Sequence, residues 1–149
     1  MIKAQIEQDI KVALLAGNSE KVTTLRGLKS AILYAEVAQN LRESGVSEET
    51  VIALLQKEAK KRQESADLYL SAGAEDKAAA ELREKALIER YLPAQLSEAA
   101  ILAIVEDVIT EAHPTGMKDM GRVIAAVKQK TAGAADGSLI AKIVKEKLA

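Results

Sequence analysis

Cysteine, phenylalanine and tryptophan are absent from the 149 residues; histidine occurs once, at His113, and proline twice. The lack of cysteine excludes disulfides, thiolate nucleophiles and thiolate metal sites together. A lone histidine leaves carboxylates as almost the only remaining metal ligands. His113 lies beside Pro114 in a turn, with no adjacent serine or carboxylate to build a triad. The chain is therefore expected to have no catalytic residues, no cofactor and no metal. With Tyr34, Tyr69 and Tyr91 as the only aromatics, the core must come from Leu, Ile, Val and Ala. No apolar run approaches the roughly 20 residues that span a bilayer. The N-terminus MIKAQIEQDI carries charges throughout and lacks the apolar region of a signal peptide. A cytoplasmic location without a membrane partner is expected, or a mature organelle protein.

What is present is helical patterning. Hydrophobic residues make up 48% and charged residues 29% of the chain, and apolar positions recur at helical spacing without two-residue alternation. A first helix is expected over 2–16, with Ile6, Ile10, Ala13 and Leu14 turned inward. Gly17 and Asn18 stop it, and Ser19 is expected to cap a second helix over 20–41 that buries Leu25, Leu28, Ile32 and Ala35. Ser47 caps a third over 48–72, followed by Glu48 and Glu49, which favour a helix N-terminus. Its stripe contains Val51, Ile52, Leu55, Ala59, Ala66, Tyr69 and Leu70. Arg62 falls in the same stripe and is expected to pair with a carboxylate of a neighbouring helix. A fourth helix over 75–92 is expected to turn Leu82, Ala86 and Tyr91 inward. Pro93 disfavours helix at the residue before it. Ser97 then caps a fifth helix over 98–112. The predicted class is all-α: an N-terminal four-helix domain (1–92), a linker (93–97) and a C-terminal three-helix domain (98–149).

Charge is uneven along the chain. Residues 1–112 hold 14 Lys+Arg and 19 Asp+Glu, a balance of −5, whereas residues 113–149 hold 7 and 3, a balance of +4. Such asymmetry is a hint of a polyanionic partner, although on charge alone lysine that merely solubilises a helix face accounts for it more readily. Within 117–148, two amphipathic segments flank the turn 133–137. Met120, Val123, Ile124 and Val127 make one apolar stripe; Leu139, Ile140, Ile143, Val144 and Leu148 make the other. Arg122, Lys128, Lys130, Lys142, Lys145 and Lys147 are left mainly outside. Gly133 stands where a helix end wants a left-handed residue, and Asp136 where the next helix wants a cap. The turn lacks the spacing of a nucleotide phosphate loop, and no strand precedes it. Helix 98–112 carries Glu98, Glu106, Asp107 and Glu111, and is expected beside the basic pair.

These residues carry a resemblance. Met117-Lys-Asp-Met-Gly-Arg-Val123, the 133–137 turn and the 139–148 helix resemble the GatB/YqeY family. So do Leu25-Arg-Gly-Leu-Lys-Ser-Ala-Ile32, the segment 56–73 with its KRQES run at 61–65, and Tyr91-Leu-Pro-Ala-Gln-Leu-Ser97. The resemblance covers nearly the whole chain. It implies an all-helical fold whose three-helix tail is similar to the C-terminal domain of GatB, a subunit of the glutamine-dependent tRNA amidotransferase. In that enzyme the tail helps hold the tRNA, and the family carries an association with carbon–nitrogen ligase activity with glutamine as amido-N-donor. By the resemblance, the candidate RNA contacts and turn-formers are Lys118, Arg122, Lys130, Gly133, Asp136, Gly137 and Lys142. Lys and Arg on a rigid helix pair suit the phosphate and 2′-OH contacts by which folded RNA is recognised. Many relatives have Arg at Ala134, Lys at Ser138 and Pro at Gln129, so the tip here carries two fewer positive charges.

Two functions follow as expectations. The first is a non-catalytic accessory protein that binds tRNA or another structured RNA, or associates with amidotransferase components, with no DNA expected. The alternative is a helical protein–protein adaptor without RNA binding.

Overall fold

A computed structural model describes residues 1–149. It is all-helical, with seven α-helices and one 3-10 turn: α1 Ile2–Leu15, α2 Ser19–Ala38, α3 Glu48–Ser71, α4 Glu75–Glu89, α5 Glu98–Ala112, the 3-10 turn Met117–Asp119, α6 Met120–Thr131 and α7 Gly137–Leu148. None of these helices is long and apolar enough to cross a membrane. Contacts divide the chain into two compact units, Met1–Leu92 and Pro93–Ala149.

The N-terminal unit is built from two helical hairpins, α1–α2 and α3–α4. Ile6 and Ile10 of α1, Leu25, Leu28 and Ile32 of α2, Val51, Leu55 and Ala59 of α3 and Ile88 of α4 form one core. With 24 residues, α3 reaches beyond that core. Its distal half packs on α4, where Ala66 and Ala78 are both buried and small enough for close approach. The α4 face that packs here runs through Ala78 and Ile88 and is flanked by Glu84 and Lys85. Lys85 donates to Gln63 at 2.8 Å. Leu82 and Ala86, expected inward, therefore stay outside, Leu82 with 40% of its surface exposed. Leu14 and Leu70 are likewise exposed.

Polar contacts set the ends. Asn18, rather than Ser19, caps α2 by accepting from the Lys21 N–H at 3.1 Å; Ser19 is the first helical residue. Either side chain can cap, and the backbone of Asn18 takes the non-helical conformation. Ser47 and Ser97 cap α3 and α5 as expected. Helix α2 stops at Ala38 instead of 41, because Asn40 turns left-handed (φ 56°) and the Leu41 N–H closes on the Glu36 carbonyl at 2.7 Å. Helix α4 likewise stops at Glu89, short of 92. Glu36 itself is 1% exposed and holds Lys3 Nζ at 2.7 and 3.0 Å. The Ile2 N–H donates to Glu48 at 2.9 Å, so the start of α1 is tied to both α2 and α3. Tyr91 donates to Asp9. Burial and that hydrogen bond push the Tyr91 phenol well above its ordinary range.

Arg62 behaves as the sequence predicts. Its guanidinium donates to Glu84 of α4 at 2.9 Å and to Glu58 at 2.8 Å. Burial pushes the Glu58 carboxyl up, but hydrogen bonds and charge from Lys61 and Arg62 outweigh it, and the net shift is downward from 4.5. A carboxylate depressed in the folded state stabilises fully above its unfolded value and ceases to do so as pH falls through the folded value. The urea midpoint should therefore decline as pH drops below 4.5. In Glu58→Gln that part of the decline should be lost. An unchanged pH slope in the variant would contradict the assignment.

Candidate functional site

The C-terminal unit packs α5, α6 and α7 around one apolar seam. Ile101, Val105 and Val108 of α5 meet Val123 and Val127 of α6 and Ile140, Ile143 and Val144 of α7, all buried. At 100° per residue this fixes the rotation of each helix. Helix α5 ends on His113 in the left-handed region (φ 47°), an exposed residue ahead of Pro114. Asp119 then accepts from the Thr115 N–H at 2.8 Å and the Thr115 hydroxyl at 3.1 Å. Those hydrogen bonds, with help from the Arg122 and Lys118 charges, hold its carboxyl below the ordinary range.

The tip between α6 and α7 is tighter than its glycines indicate. Gly133 is left-handed as expected (φ 85°), but Ala132 precedes it in the same region (φ 47°, ψ 43°) and closes α6. The Leu96 N–H donates to the Ala134 carbonyl at 2.7 Å, so the segment before α5 braces the tip. Asp136 caps α7 by accepting from the Ser138 N–H at 2.7 Å. Gly137 is the first residue of α7 rather than a left-handed turn residue. A Cβ there would lie 3.3 Å from Lys128 Cε and 3.4 Å from its Nζ. Lys128 thus lies over the first turn of α7.

The basic side chains divide into two sets. Lys130 reaches Glu111 of α5 at 3.0 Å, Lys147 reaches Glu106 of α5 at 2.9 Å, and Arg122 lies 3.6 Å from Asp119. Arg122 also donates to the Ala112 carbonyl at 3.3 Å. The acidic helix therefore does sit against the basic pair. It also cancels its charge: residues 93–149 contain seven Lys+Arg and seven Asp+Glu. Lys118, Lys128, Lys142 and Lys145 are exposed and form no ion pair. Lys142 and Lys145 stand on the side of α7 opposite Ile140, Ile143 and Val144.

The predicted residues thus fall in three places. Gly133, Asp136 and Gly137 build the tip. Arg122 and Lys130 have carboxylate partners. Lys118 and Lys142 are open to solvent, at the start of α6 and on the outside of α7. Lys128 and Lys145 were not among the candidate contacts, although they are equally open. Pairing with α5 puts Lys130 and Lys147 in the held set and is tertiary, whereas Arg122 joins them through local Asp119.

A family model described as Yqey-like protein matches residues 3–148. The chain belongs to the YqeY-like family. No curated protein matches it. Elsewhere in this YqeY-like chain, a groove of about 510 Å³ runs along α3 and α4, lined by Lys61, Arg62, Ser65, Leu68, Glu81 and Glu84. Its Arg62 is held by the two carboxylates already described. No three His, Cys, Asp or Glu side chains converge to hold a metal.

The tip makes a stability prediction. An L-residue in the left-handed region costs about 1–2 kcal/mol, and glycine escapes most of that penalty. Ala132→Gly should raise stability by about 0.5–1 kcal/mol and Gly133→Ala should lower it by about 1–2 kcal/mol. Denaturant unfolding checks both, and equal signs at the two positions would contradict the described turn.

Proposed function

We propose that this YqeY-like protein is a non-catalytic accessory factor that holds a folded RNA such as tRNA. Its C-terminal helix pair would contact RNA phosphates. The observation that carries the reading is the set of lysines left without carboxylates: Lys128 over the first turn of α7, and Lys142 and Lys145 one helical turn apart on its outer side. Neighbours at i and i+3 lie about 5–6 Å apart at Cβ, a spacing that lets two ammonium groups meet successive phosphates. The N–H groups at the start of α7 add partial positive charge beside Lys128. Lys118 extends the open set toward the start of α6. An association with amidotransferase components, and through them with glutamine-dependent carbon–nitrogen ligation, belongs to the same proposal. On this reading the chain supplies grip and the chemistry resides in a partner.

A second reading, the helical adaptor, draws on exposed apolar side chains in the N-terminal unit, among them Leu15, Tyr34 and Leu68. Adaptor binding would depend little on salt. Phosphate binding weakens steeply with salt, because each neutralised phosphate releases counterions. Titration of tRNA against the full chain at several salt concentrations separates the two. Neutralising Lys128, Lys142 and Lys145 to Gln should reduce the slope of log K against log salt by about 2–3, at roughly 0.7–0.9 per contact. Neutralising Lys130 and Lys147, already paired, should change it by less than about 1. Absence of binding at low salt, or an equal loss in both variants, would overturn the proposal.

A further inference from the structure

The outward face of α2 carries a pattern that the fold does not use. Arg26, Gly27, Ser30, Leu33, Tyr34 and Val37 fall within about 120° of its circumference at 100° per residue. All six are exposed. Leu33, Tyr34 and Val37 leave 42%, 79% and 53% of their surface open, so the apolar end of the stripe has no partner in the chain. Gly27 sits in mid-helix with no positive φ, and a Cβ added there would meet nothing within 4 Å. Neither backbone conformation nor internal packing requires glycine at that position, which weakens the helix relative to almost any other residue. A close approach from outside would make use of it.

The stripe is complementary to itself. Its bulky apolar residues lie after Ser30, and Gly27 lies before. Gly27 and Leu33 are each three residues from Ser30, Arg26 and Tyr34 four, Thr23 and Val37 seven. An antiparallel second copy centred on Ser30 therefore brings Leu33 and Tyr34 of one chain over the Gly27 notch of the other, and Val37 against Thr23. The charges fit as well. Arg26 forms no ion pair in its own chain and would reach the partner's Tyr34 ring, a favourable cation–π contact. The two Arg26 side chains would lie eight residues apart along the axis, about 12 Å, beyond the screening length of roughly 8–10 Å. Of the two acids on α2, Glu36 is buried against Lys3 and Glu20 pairs with Arg83.

We infer that this face of α2 is a homodimer contact, formed antiparallel about Ser30 with Gly27 as the notch for the partner's Leu33 and Tyr34. One helix face of this length buries less than the roughly 800 Å² per partner of a standard interface, so the dimer is weak and concentration-dependent. The inference is independent of RNA binding, because none of the C-terminal lysines takes part.

Sedimentation velocity on the full chain, from micromolar to near-millimolar concentration, tests it. The wild type should shift from monomer to dimer. Gly27→Gln, which fills the notch, and Tyr34→Ala, which removes the knob, should each raise the dissociation constant by about tenfold or more. At the lowest concentration, where the wild type is monomeric, Gly27→Gln should melt higher than wild type, because glutamine is the better helix former. Loss of association by that variant therefore cannot come from unfolding. A chain that stays monomeric throughout, with the stripe serving some other partner, overturns the inference. So does a dimer weakened by neither variant or by only one.

Discussion

The apolar seam of the C-terminal unit decides everything that the surface can offer. Valine and isoleucine dominate it, and their branched side chains are stiff at χ1. Val105, Val123, Val127, Ile140 and Val144 show no exposed surface at all. A seam of such residues admits few rotations of α6 or α7 about their axes, and a change of one position would swing every lysine by 100°. The seam therefore determines that Lys130 and Lys147 meet the acids of α5 and that Lys142 and Lys145 face solvent. Core packing selects the set of free cations.

That selection changes the electrostatic argument. A basic tail read along the chain acts as a long-range attractor, but the folded unit has equal numbers of acidic and basic residues. Steering over distance needs net charge or an extended field. What remains is contact-range attraction from lysines without partners, which survives within a screening length of a phosphate. Under the proposed function, a surface of this kind would hold an RNA only once it has docked. In the N-terminal unit the half-buried and buried charges pair internally, Arg62 between Glu58 and Glu84 and Lys3 on buried Glu36.

Much of the fold was legible because its determinants are local. Ser47, Ser97 and Asp136 each stand one residue before a helix and cap it through their own side chains. Helical periodicity placed the buried residues of α6 and α7 without knowledge of their neighbours. Where two adjacent residues can both cap, as at Asn18 and Ser19, only the backbone conformation chooses. The face of α4 was hidden for a different reason. It packs through Ala78 and Ile88 between the charged flanks Glu84 and Lys85, so Leu82, as large as Ile88 but exposed, misdirects a reading by hydrophobicity. Ala132 was invisible as a left-handed residue because alanine carries no such preference. The division of the lysines was likewise beyond the sequence, since ion pairs across 19 and 41 residues depend on how three helices pack.

The proposed function depends on RNA meeting the open lysines of the C-terminal unit. Amide chemical-shift mapping of the uniformly labelled full chain with unlabelled tRNA at low salt reads that surface directly. The largest changes should cluster at Lys128 and along Gly137–Lys145, with small ones at Lys147. Changes confined to α1–α4, or none at saturating tRNA, would contradict it.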